Sequence, residues 1–433
     1  MTTPPHLSRR GFLALAGAGA GAVLLGACGS DTPKVDPNAP QTIKWWHIQN
    51  GDPLKPVWAQ IAKEYETAHP NVKIEITDLE NQAFKDKLTT VTQAGNPPDL
   101  FQSWGGGVLK QQIDASLVKD LTADTSSWVG GLTPAAMGPY TFDGKVYGIP
   151  WDIGMVGFWY NKELFAKAGI TAPPTTWAGL LETVTKLKAS NTVPIALAGK
   201  DKWPGHFYWA YLAVRVAGLD ALKQAAIDND FNKPDFVTAG AKLKELVDLK
   251  PFQNGFLAAE YGSPDGQAAA VGNGMAAMEL MGQWAPAVEK DASSTKQGLG
   301  DKLGFFPFPS VEGGKGKATD AFGGGNGFAV GKNAPPATVD FLKYFLDAAQ
   351  QRRAAATGAV LPTSKAAEDA IKDPNNKVVA QTLASATGFQ LYLDQAYPPA
   401  VGQQVNDSVA ELIAGTKSPD QVTKDITTTA KNQ

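Results

Sequence analysis

The chain has 433 residues, with 39 lysines and arginines against 42 aspartates and glutamates, so its formal charge at pH 7 is −3. Hydrophobic residues make up 43% and charged residues 19%, an ordinary globular balance, and the length suggests two or three domains at roughly 150 residues each. No basic block occurs, which argues against nucleic acid or an anionic membrane surface as partner, and the few histidines and the single cysteine form no cluster at metal-ligand spacing.

The amino terminus reads as a targeting segment rather than as fold. Ser8-Arg9-Arg10-Gly11-Phe12-Leu13 is a twin-arginine pattern, an export address, and an uncharged run of mostly Ala, Gly, Leu and Val follows over 13–27. That run is short for a membrane span, which takes about 20 strongly apolar residues. Leu25-Gly26-Ala27-Cys28 closes the run and looks like a lipobox. A lone cysteine elsewhere reads as a small buried hydrophobe, but Cys28 stands at the end of a signal segment and before a polar stretch. The expectation is a signal over 1–27 and a lipidated tether over 28–41, where Pro33, Pro37 and Pro40 lie among polar residues. Loss of Arg9 and Arg10 would move the formal charge from −3 to about −5. The mature protein is then expected on the outer face of the cell membrane, anchored by lipid.

From residue 42 onward strand-like and helix-like segments alternate, the signature of an α/β fold. A strand is expected over 42–47, and a helix over 54–69 with Trp58, Ile61, Ala62, Tyr65 and Ala68 at helical spacing. Residues 72–76 alternate with period two. Phe84, Leu88 and Val91 mark a second helix that Asn96-Pro97-Pro98-Asp99 ends, and a short strand over 100–103 runs into Trp104-Gly105-Gly106-Gly107. Residues 144–152 read as a hairpin edge, 155–160 as a strand and 162–168 as a helix. Thr176 is placed to cap the helix of Leu180, Leu181, Val184 and Leu187. Further helices are expected at about 207–217, 235–248 and 336–349, with strands at 275–281 and 327–330.

Six motifs stand in register along this chain. They are Trp45-Trp46-His47, Asn96-Pro97-Pro98-Asp99-Leu100, Gly148-Ile149-Pro150-Trp151-Asp152, Tyr160-Asn161-Lys162, Met281-Gly282-Gln283-Trp284 and Gly323-Gly324-Gly325-Asn326-Gly327. In this order and spacing they resemble the extracellular solute-binding proteins of carbohydrate ABC importers, the maltose-binding-protein-like class. Asp78-Leu79-Glu80-Asn81 and the 101–107 stretch look closest to xylobiose-binding lipoproteins. The resemblance covers about 42–433. It implies an α/β, two-lobed periplasmic-binding-protein-like fold of type II with a ligand cleft between the lobes. By that analogy the first lobe holds 42–150 with about 320–357, and the second 151–319 with about 358–433. It also implies an oligosaccharide ligand, permease subunits in the membrane as partners, a monomer, and no cofactor, metal or catalytic residue.

A sugar has C–H faces that pack on aromatic planes and a hydroxyl rim that needs donors and acceptors. Candidates are therefore residues that follow a strand and pair an aromatic with a polar or glycine neighbour. Trp104 ends one strand and is followed by glycines that let backbone approach a ligand; Ser103 precedes it. Trp284 follows the 275–281 strand, and the resemblance makes it a plate stacked on a sugar ring. The resemblance also makes Asp152 a sugar-contacting acid, where the plain alternative is an interlobe ion pair. His47 and Asn50 follow the first strand and Glu80 and Asn81 the second; each serves equally as a loop cap. Asn326 and the backbone of Gly324 lie in the glycine turn, and Trp203 and His206 in a loop before a helix.

Two other classes compete. A secreted glycoside hydrolase needs two carboxyl groups about 5–10 Å apart across the scissile bond, and no local acid pair has a setting that suggests one. A structural cell-surface lipoprotein would bind no sugar. A nucleotide site fails on spacing, since Gly325 to Gly331-Lys332 is one residue too long for a P-loop and Asn333 replaces the hydroxyl.

Overall fold

The computed structural model describes residues 39–433, so the twin-arginine pattern, Cys28 and most of the expected tether lie outside the described residues. Among the described residues no helix is long and apolar enough to cross a membrane. Among them, too, no group of three or more His, Cys, Asp or Glu is arranged to hold a metal ion.

Three sheets organise the protein. The first runs in the order Val72–Asp78, Gln41–His47, Leu100–Ser103, Gly327–Val330, Gly148–Pro150. Its first three strands are parallel, with Ile43 opposite Ile74 and Trp45 opposite Leu100. Parallel neighbours need crossover helices, supplied by Leu54–Ala68 and Asn81–Gln93. The first of these buries Leu54, Trp58, Ile61, Ala62 and Tyr65 on one stripe. The second starts where the Glu80 carboxylate accepts from the backbone N–H groups of Gln82 and Ala83. Trp45 anchors the core beneath the sheet through edge contacts with Phe328, Phe341 and Phe345 at 5.2 to 5.6 Å.

The second sheet orders Leu303–Phe306, Gly157–Asn161, Ala276–Met281, Val193–Ile195. Helix Trp203–Ala217 packs beside it with every residue buried, the mark of a helix wrapped on all sides by protein. Within that helix Arg215 is 1% exposed. Its five N–H groups donate to the carbonyls of Phe308, Pro309, Lys317, Ala318 and Asp320, satisfying the whole guanidinium and pinning the returning chain.

The third sheet, Gly388–Leu391, Asp320–Gly324, Gly154–Met155, joins the other two. The chain leaves the first sheet at Pro150, pairs Gly154 with Gly324 and Met155 with Gly323, then enters the second sheet at Gly157. It returns through Gly324 to Gly327, which pairs with Pro150 and Ser103. The chain passes this junction again at Pro362, bridged to Asp152, before its third crossing near residue 370, where Ala370 packs in the first core and Ile371 against the second. The architecture is the expected two-lobed α/β fold. Residues 155–160 do not form one strand, because Gly154–Met155 belongs to the connecting sheet and Gly157–Asn161 to the second. The helix expected at 336–349 is two, Ala337–Phe345 and Ala348–Ala356, split where Asp347 caps the latter.

Candidate functional site

A cleft of about 450 Å³ lies where loops from the two large sheets face each other. One wall comes from the carboxyl ends of three parallel strands, where open α/β sheets place their ligand loops. Asn50 follows the first, Glu80 and Asn81 the second, and Trp104 the third. The opposite wall holds Asp201, Trp203, Glu260, Tyr261 and Trp284, and the crossing strands contribute Asp152, Gly324 and Asn326.

The indoles are held by packing. The half-buried Trp284 ring folds back over Gly282, where an added Cβ would lie 2.2 Å from a ring carbon. Its edge meets Tyr392 at 6.3 Å between centroids, and Tyr392 in turn closes on Gly324, where only a missing Cβ leaves room. Trp203 is 8% exposed and wedged between Phe207 and Tyr261, each at 5.4 Å. Trp104 rests edge-on against Phe84 at 5.9 Å.

At the base of the cleft Asp152 spans the two halves. Its Oδ1 accepts from the backbone N–H of Asn326 at 2.5 Å, its Oδ2 from the side-chain amides of Asn326 (2.9 Å) and Gln283 (3.1 Å). Asn326 Oδ1 accepts from Gln102 at 2.6 Å, so one chain of bonds links strand Leu100–Ser103 to the loop after Ala276–Met281. Burial raises the Asp152 carboxyl to about 7, against the downward pull of the Asn326 and Gln283 donors. Gly154 admits the Gln283 amide, since a Cβ there would lie 1.8 Å from Gln283 Oε1.

Nine of the residues singled out in the sequence meet in this cleft: Trp284, Trp104, Trp203, Asn50, Glu80, Asn81, Gly324, Asp152 and Asn326. Several of them also hold the structure together. Asp152 is 1% exposed and accepts four bonds from Asn326 and Gln283, so it braces the crossing. Asn326 spends its amide in the same network. Glu80 is a helix cap. Trp203 and His206 lie in the first turns of helix Trp203–Ala217, not in a loop.

Three residues do not line the cleft. His47 is 1% exposed and packs on Trp45 at 4.6 Å, its Nδ1 accepting from the Gln49 N–H; burial lowers its pKa to about 4. His206 is fully buried and lowered by that burial to about 4. Ser103 is 6% exposed and its hydroxyl accepts from the Gly105 N–H. The glycines after Trp104 do not approach the cleft as expected. A Cβ on Gly105 would meet Pro139, one on Gly106 the carbonyl of Gln395, and one on Gly107 Tyr397.

Sequence reasoning missed Asp201, Glu260, Tyr261, Gln283 and Tyr392. Gln283 had a signal, its place beside Trp284 in a strand-end loop; Tyr392 had none. Asp201 accepts from the Tyr261 N–H at 2.7 Å, and burial with neighbouring Glu80 and Glu260 raises it to about 6. Asp52 and Asp291 add further acids, while among the described residues Lys85 is the one lysine lining the cleft; Glu260 and Asp291 are paired with Lys200 and Lys296 just outside it.

Solved structures share this architecture. One from work on xylan utilization by the thermophilic bacterium Caldanaerobius polysaccharolyticus superposes with a TM-score of 0.83 at 28% identity, covering 89% of this chain and 99% of the other. A chitin oligosaccharide binding protein gives 0.83 at 27%, covering 91% and 98%. Among relatives, the diacetylchitobiose binding protein DasA of Streptomyces coelicolor is 24% identical over 88% of this chain and 87% of its own length. An uncharacterized ABC transporter extracellular-binding protein of Pyrococcus horikoshii is 29% identical over 63% of this chain, which thus spans a little under two thirds of that relative, 64%. Residues 51–352 match the family model described as bacterial extracellular solute-binding protein, and the chain belongs to that family.

Proposed function

We propose that this protein is the sugar receptor of an ABC importer, taking a short oligosaccharide into the cleft and delivering it to permease subunits in the membrane. The observation that carries this reading is the convergence of Trp104, Trp203 and Trp284 from three separate segments on one crevice of about 450 Å³. Flat apolar plates rimmed by carboxylates and amides match the C–H faces and hydroxyl rim of a pyranose. The acidic lining disfavours phosphorylated or acidic ligands and suits a neutral one. The two solved structures described above, from xylan utilization and chitin oligosaccharide binding, support a β-linked oligosaccharide, with xylobiose or a xylo-oligosaccharide favoured.

The lobes would divide as expected from the sequence, with two adjustments. Ala321 and Phe322 pack in the core of the second sheet, and Ala359, Val360 and Ala370 in that of the first. The return into the first lobe thus falls near 325 and its end near 370. Hinge closure about the three crossings is the associated motion. Export through the twin-arginine pattern, lipid attachment at Cys28, residence on the outer membrane face and a monomeric state complete the proposal.

One observation favours a second reading. Burial, with the charges of Glu80 and Glu260 nearby, raises Asp201 to about 6, as a general acid would be. Incubation with p-nitrophenyl glycosides and xylo-oligosaccharides separates the two, since a transport receptor gives no turnover. The binding reading is tested by thermal melting against a glycan panel. A sugar at 100 times its Kd adds about 2.7 kcal/mol of stability, and a panel in which no sugar shifts the melting point sinks the proposal.

A further inference from the structure

A second cavity, of about 880 Å³, adjoins the cleft. The two share only four lining residues, Lys85, Trp104, Asp394 and Gln395. Between them stands an ion pair. Lys85 Nζ lies 3.0 Å from Asp394 Oδ2, joining residues 309 positions apart, from helix Asn81–Gln93 to helix Leu393–Ala396. The side chains are 22% and 7% exposed, so the pair is a solid partition rather than a mobile surface contact. Asn406 braces the Asp394 carboxylate at 3.4 Å. Burial pushes that carboxyl upward, yet Lys85, His206 and Asn406 together hold it below its ordinary value. Lys85 Nζ also sits 5.3 Å from the centre of the Trp104 ring, tying the partition to a proposed sugar plate.

The lining beyond the partition is mostly polar, and among the described residues its one aromatic plate is the shared Trp104. Gln82, Thr89, Gln111, Gln112 and Gln403 line the second cavity with amides and a hydroxyl, both donors and acceptors. Close backbone packing of Gly106 on Gln395 backs the pair on the same side.

We infer that the Lys85–Asp394 ion pair is the end wall of the ligand cleft, setting how long an oligosaccharide fits, and that the adjoining cavity receives the extra units of a longer neutral chain once the wall is removed. This rests on the sugar-binding reading above. A wall differs from a simple closure latch in one respect. Losing a latch weakens every ligand alike, whereas losing a wall changes the preference for length.

The experiment measures Kd by calorimetry for β-1,4-linked xylo-oligosaccharides and chito-oligosaccharides of two to six units. It compares the wild type with Lys85→Ala/Asp394→Asn, and takes the pentasaccharide-to-disaccharide affinity ratio as the readout. The double variant removes both charges, and the amide that replaces the Asp394 carboxylate keeps a partner for Asn406. The ratio is expected to rise at least tenfold, while Lys85→Arg, which preserves the pair, keeps the wild-type ratio. Thr89→Trp added to the double variant partly fills the second cavity and should return the ratio toward wild type. A ratio that stays within twofold of wild type, whatever happens to absolute affinity, overturns the inference and leaves only a latch. Should the double variant fail to fold, Lys85→Ala alone carries the same expectation, because Lys85 sits on a partly exposed helix face. Wild-type protein that binds no member of either series overturns the sugar reading itself, a distinguishable failure.

Discussion

Replacing Trp284 by alanine isolates the contribution of one sugar plate. The half-buried indole packs against the Gly282 backbone and lies steeply across Tyr392, so one face is taken as available to a ligand. An indole buries up to ~250 Å² in all, so one face amounts to roughly 80 Å², and at ~25 cal/mol per Å² its cover contributes about 2 kcal/mol. Lost in full, that raises Kd about 30-fold. The same truncation removes half-buried contacts within the lobe, worth a further ~1 kcal/mol of folding stability, so the melting point should fall by only a few degrees. Calorimetric titration of a sugar that the wild type binds, alongside melting of the free protein, reads both numbers. A Kd that moves less than about threefold while the fold stays intact refutes the assignment of Trp284 as a plate.

Three further changes test the parts that hold the cleft. Gly282→Ala sets a Cβ about 2.2 to 2.4 Å from the Trp284 ring atoms, so the ring must swing away. Affinity should fall about as far as in Trp284→Ala, with circular dichroism unchanged; native affinity would mean that the ring's position does not matter. Asp152→Ala strands the Asn326 and Gln283 donors at the crossing, and should cost about 2–4 kcal/mol in urea unfolding, where a loss below about 1 kcal/mol would show the network to be slack. Glu279, on strand Ala276–Met281, and Glu289, on helix Ala285–Ala292, interact with each other and are 0% and 1% exposed. Burial lifts Glu279 to about 7 and Glu289 further above its ordinary value. Because both are raised on folding, their contribution is fully present below about pH 4 and is lost as pH climbs through about 7. Glu289→Gln should therefore be the more stable protein at about pH 8, with little difference at about pH 4.5, in paired urea melts; an equal difference at both pH values would show that the pair does not share a proton.

Much of the fold was legible in the sequence because local patterns carry it. The stripe of Trp58, Ile61 and Tyr65, the Thr176 cap and the period-two run at Val72 to Ile76 are short-range signals, and helices and strands formed at those places. The strand-end rule brought Asn50, Glu80 and Trp104 to one wall of the crevice, since the carboxyl ends of parallel strands share one edge of a sheet, while Trp284 reaches the opposite wall from the end of Ala276–Met281 in the other sheet. Burial was not legible in the same way. His47 ends a strand as a ligand residue would, but its side chain points to the Trp45 face of the sheet, and pleat parity is decided by which face the core covers.

What the sequence determined by itself is therefore the succession of elements and the loops able to meet a ligand. What only the tertiary structure decided is which of those side chains also hold the structure together. Asp152 is bound by Asn326 and Gln283, groups 174 and 131 residues away, and Lys85 finds Asp394 at a separation of 309. Such pairings follow from three crossings of the chain between two lobes, and no local pattern encodes a distance across a hinge.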